Sequence, residues 1–389
     1  MKIVYCADNL NNLGGIERVT TIKASALAAI PGNEVYIITV EGGGLSLFPL
    51  APKVKMIHLD VPYYSIDWST KWNLIKGMIA KRKEHKKKLK KVLNDIKADV
   101  VISTGSFDKF FLTSIIPKGS IVIREIHFCR QYRHFHNKGW LETLTSSIGE
   151  FIDYKIKIKG YDQIYLLTEE DRLSWKNNSK VSVMPNPNSF TPLKAVPEKS
   201  KKVIAVGRYT IAKRFDNLLI IWDKITRQFP EWHLEIWGEG DERKKLENLI
   251  KKLSIEKTTS LKGYTSNIEE HLSTGSLLAF TSDYEGFGMV LIEAMAFGLP
   301  CVAFDCPHGP KDIITDGKDG FLIPPNNLDL FAEKLAFLMK NDQSRAEMAQ
   351  NAIKRVDDYV PDKIARRWMD EFKRLKYTKQ EMRNSHLTT

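Results

Sequence analysis

Short apolar runs of strand length alternate with helix-like runs along most of this chain, and that alternation limits the fold more than any other feature. In the first half the strand candidates are Lys2–Ala7, Glu34–Val40, Val54–Leu59, Asp99–Thr104, Ser120–Glu125, Gln163–Thr168 and Lys180–Met184. In the second half they are Val203–Gly207, His233–Trp237, Ser260–Gly263, Leu277–Thr281, Cys301–Phe304 and Gly320–Ile323. Parallel strands need a crossover of a dozen or more residues, and helical material of that length lies between most of these runs. The class is therefore α/β with parallel sheets. Between the halves stands Met184-Pro185-Asn186-Pro187-Asn188, where two prolines stop regular structure, followed by a polar linker over Thr191–Lys202. A chain of 389 residues can form two domains, each with its own core. The expected boundaries are 1–187 and 188–361. After Pro361, the spacing of Ile364, Trp368, Phe372 and Leu375 predicts an amphipathic helix over 362–377, and 378–389 reads as a disordered polar tail.

Composition excludes several classes. Hydrophobic content of 43% and charged content of 27% are globular values. Met1-Lys2 leads into IVYCA, a strand rather than a signal peptide. The most apolar long stretch, Met289–Phe304, is broken by Glu293, Gly298 and Pro300, so no transmembrane helix is expected. The four cysteines (Cys6, Cys129, Cys301, Cys306) form no C-x-x-C pair, which suits buried thiols and a cytoplasmic location. The net charge of +12 favours anionic partners: nucleotide sugars, an anionic membrane surface or nucleic acid.

The most informative stretch is Ser276–Pro300. An apolar strand leads into a turn containing Gly286 and Gly288, and then into a helix-like run. A helix entered through glycine presents free N–H groups and a positive dipole end, which suits a phosphate. Glu285 and Glu293, eight positions apart, flank that site and suit hydroxyls rather than phosphate. Either glutamate alone would be read as an exposed turn residue or a first-turn acid. The whole string E-G-F-G-M-V-L-I-E-A-M-A-F-G-L-P, however, resembles the Glu-x7-Glu signature of the retaining glycosyltransferases of family 4, bacterial polysaccharide-type members in particular. That resemblance implies the GT-B fold: two Rossmann-like domains facing a central cleft, with the C-terminal helix crossing back to the first domain. The first domain would be the acceptor side and the second the nucleotide-sugar-binding side.

Other loops gain meaning beside it. Gly14-Gly15 follows the first strand and opens a helix, but it is not G-x-G-x-x-G, which counts against a nicotinamide oxidoreductase. The resemblance makes Gly15 the residue nearest the donor diphosphate. Gly207-Arg208 and Lys213 project two cations from one strand end and resemble the family's diphosphate pair. Arg214 stands where many relatives have glycine, and whether it reaches the ligand is open. Gly238, in Trp237-Gly238-Glu239-Gly240, and Tyr264 correspond to loops beside the nucleotide base. His127 follows the strand Ser120–Glu125, and the resemblance makes it the histidine that reaches the transferred sugar. His134 and His136 lie on the basic-aromatic segment RQYRHFHNKGW, on the acceptor side. The stretch Asp305–Ile314 is expected to shape the cleft wall, with His308 structural.

Residues Trp72–Lys97 read as a helix whose middle, Lys81–Lys91, holds eight Lys or Arg in eleven positions. A solvated face is one reading and a foot on anionic lipid the other, with Tyr63, Tyr64, Trp68 and Trp72 just upstream.

The resemblance implies retaining transfer of a hexosyl unit from a nucleotide sugar, foremost a UDP-sugar. The acceptor would be a saccharide or lipid-linked saccharide in cell-surface polysaccharide synthesis. Arg208, Lys213 and the turn and helix start Gly286-Phe287-Gly288-Met289-Val290 would stabilise the leaving diphosphate. Glu293 would hold the ribose, and Glu285 and His127 would serve the sugar. No D-x-D occurs, so no metal and no cofactor are expected. Competing readings are a nucleotide-sugar epimerase of the same fold and a non-catalytic basic binder of membrane or, less favoured, nucleic acid.

Overall fold

The structure, a computed structural model, describes residues 1–128, 158, 160–175, 178–195 and 200–387, with side chains described as far as 385. The chain divides into two units. Unit 1 is Met1–Leu167, Asp171–Ser189 and Pro361–Thr389; unit 2 is Thr168–Glu170 and Phe190–Val360.

Unit 1 is built on β1 (Lys2–Ala7), β2 (Glu34–Thr39), β3 (Val54–His58), β4 (Val100–Ser103), β5 (Ile121–Glu125), β6 (Gln163–Leu166) and β7 (Val181–Val183). All pair in parallel, in the order β3-β2-β1-β4-β5-β6-β7. A parallel sheet is covered on both faces, so its strands are almost continuously apolar. In β1, Val4 and Cys6 enter one core while Ile3, Tyr5 and Ala7 enter the other, as the period of two requires. Helix α1 (Gly15–Ala29) and the C-terminal helix Pro361–Leu387 cover the second face through Ala24, Leu27, Trp368 and Phe372. Helix α2 (Lys71–Ile96) covers the first through Leu89, Leu93 and Ile96. Thr70 caps α2 by accepting from the Asn73 amide at 3.1 Å, and Lys97 ends it in the left-handed region.

The C-terminal helix extends to Leu387, through the stretch from Thr378 expected to be a disordered tail. Long-range anchors account for the difference. Lys376 donates to Asp99 at 2.8 Å, and Lys379 to Asp162 at 2.6 Å. Strong helix formers Lys379-Gln380-Glu381-Met382-Arg383 carry it onward.

Unit 2 repeats the plan with β8 (Lys202–Val206), β9 (His233–Trp237), β10 (Thr259–Gly263), β11 (Leu277–Phe280), β12 (Cys301–Phe304) and β13 (Gly320–Ile323), in the order β10-β9-β8-β11-β12-β13. These strands too are parallel, and their core includes the fully buried Trp222 and Trp232. The order reverses between β1 and β4 in unit 1 and between β8 and β11 in unit 2. In open parallel sheets, ligands bind beyond the carboxyl ends of the strands at such a reversal. Each unit therefore has one preferred place for a site.

Candidate functional site

In unit 2 the two segments leaving that place are the loop after β8 and the turn after β11, and they are tied together. The Asp283 amide donates to the Ala212 carbonyl at 2.8 Å, and the Thr281 hydroxyl to the Lys213 carbonyl at 3.0 Å. This brings Lys213 onto Glu285, with Nζ donating to Oε1 at 2.5 Å; the side chains keep 24% and 15% of their exposure. A third loop, after β12, locks the turn from behind. The Glu285 amide donates to the Pro307 carbonyl at 3.2 Å. Gly309 adopts φ +146°, and a Cβ there would lie 2.2 Å from the Phe287 carbonyl oxygen, so only glycine fits. The loop thus buttresses the turn. His308 within it is buried, its amide donates to Glu170 at 2.7 Å, and its ring nitrogens have no hydrogen-bond partner among the described residues.

Gly286, Phe287 and Gly288 lead into the helix Met289–Ala296, which Gly288 enters in the left-handed region. The amides of Met289 and Val290 belong to the first turn, whose N–H groups lack intrahelical acceptors. Glu293 is buried within this helix among Leu291, Ile292, Ala294 and Met295. The Phe287 ring is buried too, 5.9 Å from that of Tyr359, so only the backbone of Phe287 can meet a ligand.

Arg208 lies two residues beyond β8, exposed, and meets no carboxylate among the described residues. Arg214, by contrast, is engaged by Asp216 at 3.1 Å, Asp283 at 3.3 Å and Asn217 at 2.9 Å. Its backbone takes φ +47°, a conformation glycine adopts freely, so these contacts hold an arginine there. Burial raises the Asp283 carboxyl pKa, and Arg214 opposes the shift. Gly238 comes so close to Gly207 that a Cβ would stand 1.9 Å from the Gly207 carbonyl oxygen. Tyr264 follows β10 and is exposed.

Unit 1 carries its own cluster at the carboxyl edge. Gly15 begins α1, and a Cβ there would meet nothing within 4 Å; no packing in the unit demands the glycine. Asp8, just after β1, accepts from the Ser106 amide at 2.7 Å and the Phe107 amide at 3.2 Å. Buried Asp108 accepts from the Ser103 hydroxyl at 2.8 Å and lies 3.6 Å from Arg124. Burial pushes its pKa up to about 7 despite Arg124, with Asp8 adding to the rise.

His127 lies two residues beyond β5 with its side chain buried. Its Nε2 stands 3.3 Å from Glu125 Oε2, the oxygen that also accepts from Lys23 Nζ. Burial works against the Glu125 charge, but Lys23 and His127 together hold its carboxyl down to about 2. Burial lowers the His127 pKa, with Glu125 opposing. A lowered pKa favours the neutral imidazole at pH 7.

Residues 191–355 match the family model described as glycosyl transferases group 1, a span that takes in Arg208, Lys213, Gly238, Tyr264 and Glu285 through Glu293. Over 375 residues the chain is 28% identical to an uncharacterized glycosyltransferase of Haemophilus influenzae, covering 94% of this chain and 98% of the relative. It is also 28% identical over 384 residues to the amylovoran biosynthesis glycosyltransferase AmsD of Erwinia amylovora, covering 95% and 99%. Among solved structures, a TarM variant of S. aureus in complex with fondaparinux, alpha-GlcNAc-glycerol and UDP is similar with a TM-score of 0.74 at 18% identity, covering 95% of this chain and 99% of that one. The chain is a glycosyltransferase of the GT-B fold.

Unit 2 of this glycosyltransferase gathers Arg208, Lys213, Glu285 and the Gly286–Val290 stretch onto adjoining segments, with Glu293 one helical turn farther in. Gly238 and Tyr264 follow β9 and β10 on the same carboxyl edge. Gly15 and His127 belong to unit 1. His134, His136 and Cys129 lie outside the described residues, as does the RQYRHFHNKGW segment. Lys23, Glu125, Arg124 and Asp108 went unrecognised in the sequence. Lys23 did leave a signal: it falls on the apolar face of α1 with Val19, Ala24 and Leu27, a core position for a lysine. Among the described residues no group of three or more His, Cys, Asp or Glu could hold a metal ion, and no helix is long and apolar enough to cross a membrane.

Proposed function

We propose that this glycosyltransferase is a family 4, retaining enzyme that moves a hexosyl unit from a nucleotide sugar, foremost a UDP-sugar, to a saccharide or lipid-linked saccharide. The observation that carries the reading is the pairing of Lys213 with Glu285 beside an unpaired Arg208 and the glycine-led start of the helix Met289–Ala296. Two cations and a helix N-terminus suit a departing diphosphate, and the buried Glu293 suits ribose hydroxyls. A charge-assisted hydrogen bond of that kind contributes about 1.5–3 kcal/mol. The TarM complex with UDP and an N-acetylglucosaminyl glycerol supports a nucleotide-sugar donor and a saccharide-type product, and AmsD supports a polysaccharide pathway.

In the proposed reaction the bond between C1 of the sugar and the diphosphate oxygen breaks, and the electron pair leaves with the diphosphate. The acceptor oxygen forms its bond to C1 from the same face, and its proton passes to the leaving phosphate. Glu285, ion-paired to Lys213, orients the sugar rather than attacking it. His127 is the proposed contact from unit 1, and Gly15, Gly238 and Tyr264 are the proposed backbone and base contacts. Arg208 and Lys213 supply positive charge where a metal would otherwise be used, and no D-x-D holds one. The described cysteines are buried free thiols, which suits a cytoplasmic setting.

Incubation with UDP-, GDP- and ADP-sugars tests the reading. Slow donor hydrolysis is expected, as is stabilisation by the matching nucleoside diphosphate of about 2.7 kcal/mol at a hundredfold excess over Kd. The anomeric configuration of the product checks retention, and activity in a chelator checks metal independence. Interconversion of sugar epimers would favour the epimerase. No response to any nucleotide would remove the transferase reading.

A further inference from the structure

Unit 1 displays an apolar rim that neither of its cores absorbs. Strands β3, β2 and β1 are neighbours and parallel, so their carboxyl ends open on one edge. The segments leaving that edge expose Leu13, Leu45, Leu47, Tyr64 and Trp68, and the Leu47 amide donates to the Leu10 carbonyl at 3.1 Å, holding two of them together. Helix α2 starts at this edge and continues the rim. Trp68 keeps 69% of its exposure, Trp72 64%, Ile75 50% and Ile79 62%.

Along α2 the same stripe then changes character. With about 100° of rotation per residue, positions 72, 76, 79, 83, 86, 87 and 90 fall within one sector of roughly 120°. Its first half is Trp and Ile with Lys76, whose ammonium sits 5.2 Å over the Trp72 ring. Its second half is Lys83, Lys86, Lys87 and Lys90, all exposed. The structure also sorts the charge run. Lys88 donates to the Leu59 and Asp60 carbonyls, Lys81 and Lys88 pair with Glu84, and Arg82 packs on Phe110. Lys83, Lys86, Lys87, Lys90 and Lys91 meet no carboxylate within ion-pair distance among the described residues.

A solvated helix face explains the lysines but leaves two tryptophans and two isoleucines in water. Nucleic acid would use the lysines and stack on the rings, but it offers nothing to the isoleucines and leucines. A bilayer with anionic headgroups uses all of them: aromatic rings at the headgroup level, aliphatic side chains at the acyl boundary, lysines snorkelling to phosphate. We propose that the rim of Leu13, Leu45, Leu47, Trp68 and Trp72 and the lysine stripe of α2 form one docking surface for an anionic lipid bilayer. Unit 1 lowers the carboxyl edge of β1–β3 into the interface, and the lysines hold it there. Leu13 shares the β1–α1 loop with Gly15, a proposed donor contact, but Trp68, Trp72, Ile75, Ile79 and the lysines lie on other segments, so variants there test the surface apart from the proposed reaction.

The full chain is mixed with vesicles of phosphatidylcholine, with and without about a third of phosphatidylglycerol, and sedimented at low and high salt. It is expected to pellet with the anionic vesicles only. The variant K83Q/K86Q/K87Q/K90Q is expected to lose about fivefold in binding per lysine removed at low salt. The variant W72S/I75S/I79S is expected to bind the anionic vesicles more weakly and to leave them at a lower salt concentration than the parent. Brominated acyl chains are expected to quench tryptophan fluorescence in the parent and not in W68S/W72S. Donor hydrolysis at the parental rate shows that each variant is folded. Binding to neutral vesicles as tight as to anionic ones, or no loss in the lysine variant, overturns the proposal. So does failure to bind anionic vesicles at low salt, whether or not the protein binds RNA.

Discussion

Replacing Glu285 with glutamine is expected to tighten binding of the nucleoside diphosphate while suppressing transfer. In the free protein the Glu285 carboxylate holds the Lys213 ammonium at 2.5 Å, with both side chains largely sheltered. A diphosphate that recruits Lys213 must compete with that carboxylate and also sit near its negative charge. A hydrogen bond to a charged group contributes about 1.5–3 kcal/mol, and an ammonium with three donors can share itself. If about half of that is recovered when the carboxylate becomes an amide, the gain is ~0.75–1.5 kcal/mol, or roughly a three- to twelvefold lower Kd. The amide keeps the shape of the side chain but loses the charge proposed to meet the sugar. Removing one such electrostatic contact lowers turnover by about 10²–10³. Isothermal titration with UDP, on the parent and on Glu285→Gln, gives the first quantity; single-turnover transfer gives the second. Lys213→Met should weaken UDP in both backgrounds, and the double variant measures the coupling. Unchanged or weaker UDP binding in Glu285→Gln would refute the competition, and parental turnover would remove Glu285 from the reaction.

Arg208→Ala is expected to raise the Kd for UDP by about tenfold or more without moving the melting temperature, because the exposed guanidinium supports nothing in the free unit. A matching fall in Tm would mark it as structural. Lys23→Met leaves the buried Glu125 charge uncompensated and is expected to destabilise by about 3–5 kcal/mol in chemical denaturation. Lys23→Met with Glu125→Leu should recover most of that stability but not the transfer rate, since His127 has lost its partner; full recovery of both would deny the pair any positioning role. Asp108 titrates near 7 in the folded protein against 3.8 ordinarily, so between those values the folded state binds more protons than the unfolded one. The contribution of Asp108 to stability therefore falls as pH rises from about 4 to 7, and Asp108→Asn should remove that part of the profile. Superimposable profiles of Tm against pH for parent and variant would contradict it.

The fold was legible because its signals are local. The central strands of both sheets are short apolar runs buried on both faces, while the edge strands β3, β7 and β10 are more polar and partly exposed, and helices separate most of the strands. The candidate site of unit 2 was open to the sequence in part: Arg208 and Lys213 leave one strand, and Glu285 through Glu293 leave its neighbour, within unbroken motifs. What motifs did not carry is how these segments meet. Lys213 and Glu285 are 72 positions apart, and the contact of Gly309 with the Phe287 carbonyl joins two more loops. Arg214 stood as an open cation in the sequence, and only the side chains of Asp216, Asp283 and Asn217 show why it is occupied. The polar stretch after Thr378 likewise depends on Asp99 and Asp162, hundreds of positions earlier, for its place in a helix.

Unit 1 was read less fully, and its hidden residues share one physical trait. Lys23 and Glu125 meet across 102 positions inside an apolar core, and Asp108 and Arg124 meet between strand ends. A buried ion pair is a poor source of stability, because desolvating two charges costs about as much as their attraction returns. An apolar pair of similar size would serve the fold as well, so stability alone does not account for the charges. Their place does: both pairs lie at the carboxyl edge, next to the reversal in strand order, and one of them faces the imidazole of His127. A charged residue on the apolar stripe of a helix that leads from such an edge, as Lys23 is in α1, is thus a sequence signal for a buried polar cluster whose other members lie far along the chain. In unit 2 the glycine-led motifs say this outright; in unit 1 a single misplaced lysine says it.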